Sequence, residues 1–163
     1  MYMASEQPPV NRVPWLAFLE AYKVVIDKME RMYTEAGATG LVVHEVLWRL
    51  DRAPEARLRM QDLAELLLVT KSGASRLIDR LERNGLVKRS TSSEDRRVVY
   101  AVLTAKGRAA LEVSREVFIR AYDDVFKSVL DAGELAEFTR LLTKMIERNR
   151  LPAATAAAAA GVS

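Results

Sequence analysis

Apolar residues recur every three or four positions along most of this chain, a spacing that predicts helices. From Pro14 to Ala36 the set is Trp15, Phe18, Leu19, Tyr22, Ile26, Met29 and Tyr33, one long amphipathic helix that Gly37 ends. A second helix runs from about Gly40 to Asp51, with Val43, Val46, Leu47 and Leu50 inward. Thr39 is placed to cap it and Pro54 closes it. Leu58 to Met60 reads as a minimal strand, and Gln61 to Leu67 as a short helix around Leu63, Leu66 and Leu67. Thr70 can cap the next helix, Lys71 to Asn84, whose apolar set is Ala74, Leu77, Ile78 and Leu81, with Gly85 as its stop. Two strands follow, Leu86 to Thr91 and Val98 to Thr104. A long helix from Thr104 to about Val129 carries Leu111, Phe118, Ala121, Tyr122, Val125 and Phe126 on one side. Asp131 and Glu134 form a capping box for a final helix to about Arg150, lined by Leu135, Phe138, Leu141, Leu142, Met145 and Ile146.

The segment between the two strands is a knot of charge. A two-residue hairpin turn favours Asn or Gly; this tip is longer, lacks Gly, and carries Glu94, Asp95, Arg96 and Arg97. Just upstream stand two short helices about a turn apart, the second more basic, which predicts a helix-turn-helix. Opposite Leu77, Ile78 and Leu81, that second helix presents Ser72, Ser75, Arg76, Asp79 and Arg83, with Arg80 at the edge. The small residues Ser72, Gly73, Ala74 and Ser75 let its backbone approach base edges closely, and the helix start offers N–H groups and the positive dipole end to phosphate. Arg76, one turn in, can reach guanine or a phosphate oxygen.

A hairpin placed directly after such a helix is a wing, and a wing tip lies over the minor groove. Arg97 is its natural probe, because narrow grooves concentrate negative potential. Asp95 is expected to hold an arginine in position through a charge-assisted hydrogen bond. The DNA-facing set is then Lys71, Ser72, Gly73, Ser75, Arg76, Arg80, Asp95, Arg96 and Arg97. The competing reading of these residues is a solvated amphipathic helix with a soluble loop.

Composition narrows the choice. The chain has 163 residues, half of them hydrophobic, enough for a core without staples. It has no cysteine, which excludes disulfides, zinc ribbons and thiol switches. The net charge of +3 says little, but its placement says more. Lys71 to Arg97 hold eight cations and four anions, a local +4, so the rest of the chain is roughly neutral. A single histidine, no Gly-rich phosphate loop and no clustered ligand spacing leave no assembled active site, metal centre or cofactor site. No apolar run approaches the ~20 residues of a membrane span, and MYMASEQPP lacks a signal peptide's basic and apolar regions, which fits a cytoplasmic protein. Residues 1–12 read as a loose arm, and 151–163 as an Ala-rich, low-complexity tail.

VTKSGASRLIDRLERNGLVKR followed by SEDRRVVYAVLTAKG resembles the recognition helix and wing of the MarR family of bacterial transcriptional regulators, and the resemblance extends from about Pro14 to Arg150. Its most specific part is Asp-Arg-Arg…Leu-Thr-x-x-Gly after a helix ending Leu-x-x-x-Gly-Leu-Val. The resemblance implies a mainly α fold, with a winged helix-turn-helix lobe over 38–104 and dimerisation helices over 13–37 and 105–150. It also implies a homodimeric repressor on double-stranded DNA with an inverted-repeat operator, Arg97 reaching the minor groove and Asp95 bracing it. Two departures stand out: Arg59-Met60 where a Ser or Thr often caps the motif's first helix, and Leu68 where the turn often has Gly. MarR-type regulators commonly bind small aromatic or phenolic effectors, and Trp15, Tyr22, His44 and Trp48 are the candidates for such a cleft, with His44 and Trp48 one turn apart on the second helix, beside its main apolar face. The alternatives are packing of these aromatics against a partner chain, and a winged-helix protein-interaction module without DNA binding.

Overall fold

The computed structural model describes residues 13–67 and 70–149. The expected arm over 1–12, Leu68 in the turn and the tail over 151–163 lie outside the described residues. The chain divides into two compact units, the first ending at Ala121 and the second beginning at Tyr122.

In the first unit α1 (Val13–Glu35) and α2 (Leu41–Arg52) are followed by a 3-10 turn (Pro54–Ala56), β1 (Arg57–Arg59), α3 (Met60–Leu66) and α4 (Lys71–Arg83). Then come β2 (Val87–Thr91), β3 (Val99–Leu103) and α5 (Ala105–Tyr122), whose last residue opens the second unit. The fold is mainly α with a small antiparallel sheet of order β1-β3-β2, so the expected two-stranded ribbon gains a third strand. β1 pairs Arg57, Leu58 and Arg59 with Val102, Ala101 and Tyr100. The helical spacing read from the sequence is the spacing of the core: Val43, Val46, Leu47 and Leu50 of α2 meet Leu63, Ile78, Leu81, Val87, Ala101 and Leu111. Each such large side chain removed from water contributes about 1.5–3 kcal/mol.

Helix ends follow the sequence in most places. Thr70 Oγ1 accepts from the Gly73 N–H at 3.1 Å and closes the start of α4. The end of α4 turns at Gly85 (φ 70°), where the Gly85 and Leu86 N–H groups bond the Glu82 and Leu81 carbonyls. Thr39 departs from expectation. The cap position belongs to Gly40, which has no side chain to offer; the Leu41 N–H instead reaches Glu30 Oε2 of α1 at 3.4 Å. A capping oxygen serves the second or third helical N–H only from the cap position itself. One residue too early, Thr39 Oγ1 is buried without a partner.

In the second unit the expected continuous helix to Val129 is broken by a π-turn over Asp123–Lys127, where Ser128 bonds the Asp123 carbonyl through its N–H and the Asp124 carbonyl through its hydroxyl. α6 (Ala132–Asn149) starts at the reciprocal capping box: the Asp131 N–H donates to Glu134 Oε2 and the Glu134 N–H to Asp131 Oδ1, both at 2.9 Å. No described helix is long and apolar enough to cross a membrane.

Candidate nucleic-acid interface

α4 buries Ala74, Ile78 and Leu81 and turns Ser72, Arg76, Asp79, Arg80 and Arg83 to solvent. Lys71 opens it, and the Thr70 cap satisfies one of the N–H groups that a helix start leaves unpaired. Ser72 Oγ lies 3.1 Å from Thr70 Oγ1, which draws the first turn tight. Gly73 and Ser75 are half-buried beside it. Arg76 is exposed and joins no described ion pair. Arg80, at the helix edge, lines a recess with Glu30, Thr39 and Asn84.

The wing shows how a tip without glycine closes. Ser92 Oγ accepts from the N–H groups of Glu94 and Asp95 at 3.2 and 3.4 Å, the Val98 N–H bonds the Asp95 carbonyl, and the Ser92 N–H bonds the Val98 carbonyl. Asp95 Oδ1 accepts from the backbone N–H of Arg97 at 2.9 Å. Side chains thus replace the left-handed residues that a tight turn needs. Asp95 does brace Arg97, but through the main chain: among the described residues no guanidinium pairs with its carboxylate. The Arg96 and Arg97 side chains are left exposed.

Sequence reasoning missed Arg89, which ties wing to helix. From β2, its Nη1 lies 2.7 Å from Glu82 Oε2 and its Nη2 2.7 Å from Asp79 Oδ1. Nη2 also donates to the Ser75 carbonyl at 3.3 Å, and the Arg89 N–H donates to Glu82 Oε1 at 2.8 Å. These bonds, led by the one from the backbone N–H, hold the Glu82 carboxyl below its ordinary range. The signal was present in the charge count, since Asp79 and Glu82 are the only anions on the basic helix. One cation in the stretch is therefore spent internally, and Arg76, Arg96 and Arg97 remain for a partner. Arg97, Arg89, Ser75 and Arg59 line one cleft of about 500 Å³ between α4, the start of α3 and the wing.

The four aromatic candidates divide. His44 sits on the buried face of α2, not beside it, at 3 % exposure. Ser114 Oγ donates to the Leu111 carbonyl and lies 2.9 Å from His44 Nδ1, which assigns the proton of that contact to the histidine. The ring stacks on Phe118 at 4.9 Å and 9°, and burial pulls its pKa below the ordinary value, so it is neutral at pH 7. His44, Trp48, Arg52, Arg115 and Phe118 line a pocket of about 330 Å³. Trp15 and Tyr22 do not line it; both are exposed along α1.

The MarR family model matches residues 42–99, which hold the helix-turn-helix, β1, β2 and the wing tip as far as Val99, the first residue of β3. The structure superposes on AbsC, a MarR family transcriptional regulator from Streptomyces coelicolor, with a TM-score of 0.79 and 26 % identity over 89 % of this chain and 97 % of that one. Residues 42–99 are thus similar to the MarR family, and the described fold is that of its solved members. Sco3205, a MarR family regulator from the same organism solved in complex with DNA, shares the fold at a TM-score of 0.79 and 24 % identity, covering 94 % of this chain and 93 % of that one. An HTH-type transcriptional regulator of Bacillus subtilis, YkoM, is 35 % identical over 97 residues, 58 % of this chain. The match spans 60 % of that relative's own length. These MarR relatives are transcriptional regulators and not enzymes.

Proposed function

We propose that the protein is a sequence-specific DNA-binding transcriptional regulator that binds an inverted-repeat operator as a homodimer, represses there, and is released by a small aromatic or phenolic effector. The observation that carries the reading is the Arg89 clamp, which fixes at one angle a capped, small-residue helix start and a wing with a backbone-anchored, exposed Arg97. A protein-interaction module gives no role to Arg76 and Arg97, which are exposed and in no ion pair among the described residues. The DNA-bound relative supports the same partner. The dimer is supported by apolar surface left open on each unit: Trp15, Leu16, Phe18 and Leu19 on α1, and Phe138, Leu141, Met145 and Ile146 on α6. Contiguous apolar surface of this kind marks an interface, and covering it at about 25 cal/mol per Å² favours an obligate pair. Repression follows from occlusion, because a dimer seated on a promoter keeps polymerase off it. The His44–Trp48 pocket suits a planar ring, with Arg52 and Arg115 for its acid group. A regulator acting on the chromosome would work in the cytoplasm.

The test starts from duplexes selected by the full chain from a random-sequence pool. The complex should hold two 18.3 kDa chains. Half-site centres should lie about 10 base pairs apart, and inserting about five between them should cost roughly 10³-fold in affinity, down to the non-specific level. Survival of tight binding after that insertion refutes symmetric docking. An aromatic acid that weakens DNA binding must itself bind less well in the presence of the duplex, since the coupling is reciprocal; hits without that coupling would leave the pocket a packing feature.

Asp95→Ala offers a narrower check. It removes the anchor of the Arg97 N–H, worth about 1 kcal/mol, so affinity for the selected duplex should fall about fivefold. Removing a negative charge beside phosphate acts the other way. Tighter binding at both low and moderate salt would show that Asp95 only solubilises the loop.

A further inference from the structure

The outer face of the small sheet carries charge that neither the core nor the wing tip uses. The register sets Arg59 and Ser90 on either side of Tyr100, and Arg57 and Lys88 on either side of Val102. Alternate residues of a strand share a face, so these side chains stand together, while Val87, Ala101 and Leu103 pack the opposite face into the core. Tyr100 is gripped from two sides. The Arg57 guanidinium lies over its ring, 4.7 Å from the centroid, and Arg59 stands across from it in the register, its charge favoured by the nearby phenol. Arg59 also lines the cleft that holds Arg97 and Ser75. A continuous row, Arg97, Arg59, Tyr100, Arg57, therefore leads from the base of the wing outward.

The chemistry of the row fits phosphate. Guanidinium forks match the geometry of phosphate oxygens, and the Tyr100 hydroxyl adds a donor beside them. Asp62 and Asp95 act on Arg59 without an ion pair among the described residues, and one carboxylate pairs directly with the row: Glu55 Oε2, 2.9 Å from Arg57 Nη2, with the two side chains 70 % and 40 % exposed. An ion pair so open to water holds weakly and yields to a better anion. Glu55 and Ala56 both adopt positive φ, 54° and 49°, a conformation uncommon for residues with a side chain; this turn sets Glu55 beside Arg57.

We infer that Arg57, Arg59 and Tyr100 form a second DNA site, holding the phosphates of DNA that flanks each half-site, with Glu55 competing for Arg57. The inference rests on the DNA-binding reading above. The experiment compares a selected duplex trimmed at the outer edges of its half-sites with the same duplex extended by about one helical turn of random sequence at each end. The wild type should bind the extended form roughly tenfold more tightly, with a salt slope steeper by about two units per subunit. The variant R57Q should bind the trimmed form as the wild type does and lose most of the gain from extension. E55Q should bind the extended form more tightly than the wild type and leave the trimmed form unchanged. A wild type indifferent to duplex length overturns the inference. So does an R57Q variant weakened equally on both forms, which would assign Arg57 to the half-site. If the wild type selects no duplex at all, the DNA-binding reading fails first, and this inference with it.

Discussion

Gly107→Ala is expected to destabilise the protein by about 3 kcal/mol or more, although the same change inside a helix ordinarily stabilises by up to about 1 kcal/mol. The reversal comes from a backbone approach. The start of α5 lies directly on the end of the α4–β2 turn: the Thr104 hydroxyl donates to the Gly85 carbonyl at 2.7 Å, the Thr104 N–H bonds the Leu86 carbonyl, and the Gly107 N–H donates back to Thr104 Oγ1 at 2.9 Å. A Cβ on Gly107 would fall inside contact distance of the Leu86 carbonyl oxygen and only 2.8 Å from Leu103 Cδ1. Leu86 is held by its own bond to the Leu81 carbonyl and Leu103 is buried, so neither can yield cheaply. α5 must lift, and the Thr104 bonds go with it. Urea unfolding of the full chain should show a lowered midpoint; a midpoint equal to or above the wild type's would mean that α5 does not seat here as described.

That result would give a physical basis to a motif that the sequence offers only as a resemblance. In Leu-Thr-x-x-Gly the threonine caps α5 and bonds across to Gly85, and the glycine makes room for Leu86. Neither requirement can be seen from spacing. Periodicity and end signals did reveal much: the α2 core residues, the Thr70 cap, the Gly85 turn and the Asp131–Glu134 box all stand where the pattern puts them. What stayed hidden depends on partners distant along the chain. β1 reads as a minimal strand, but its three residues are too few to show a period, and its pairing with β3 was not visible. The π-turn over Asp123–Lys127 is a change in main-chain bonding that apolar spacing does not report. His44 looked marginal to the α2 stripe because its partner, Ser114, reads as a polar interruption in α5. Of the candidate site, the exposed arginines were legible one by one, while the bond from Asp95 to a backbone N–H was not.

Arg89→Met is expected to weaken binding to the selected duplex about tenfold without removing a DNA contact. Arg89 holds β2 against α4 through Glu82, Asp79 and Ser75, so its loss frees the wing to sample angles at which Arg97 misses the groove. Reordering that hinge at binding costs on the order of 1–1.5 kcal/mol, one decade of affinity. Methionine keeps the aliphatic stem but leaves two carboxylates side by side without their cation. Charged hydrogen bonds of this kind contribute about 1.5–3 kcal/mol, less here because water reaches the pair, so a stability loss near 1–2 kcal/mol is expected. Acid gives an independent check. The Glu82 carboxyl titrates below its ordinary value in the folded protein, so its stabilisation is complete above the ordinary carboxylate range and is lost as pH falls through the depressed value. The stability difference between wild type and Arg89→Met should accordingly shrink toward acid, and Glu82→Gln should flatten the wild-type profile over the same window. Salt dependence separates a clamp from a contact. An arginine that touches phosphate takes about one unit of slope per subunit with it, whereas a clamp lowers affinity by the same factor at every salt concentration. Parallel salt plots for wild type and Arg89→Met support the clamp, and a flattened plot for the variant assigns Arg89 to the DNA.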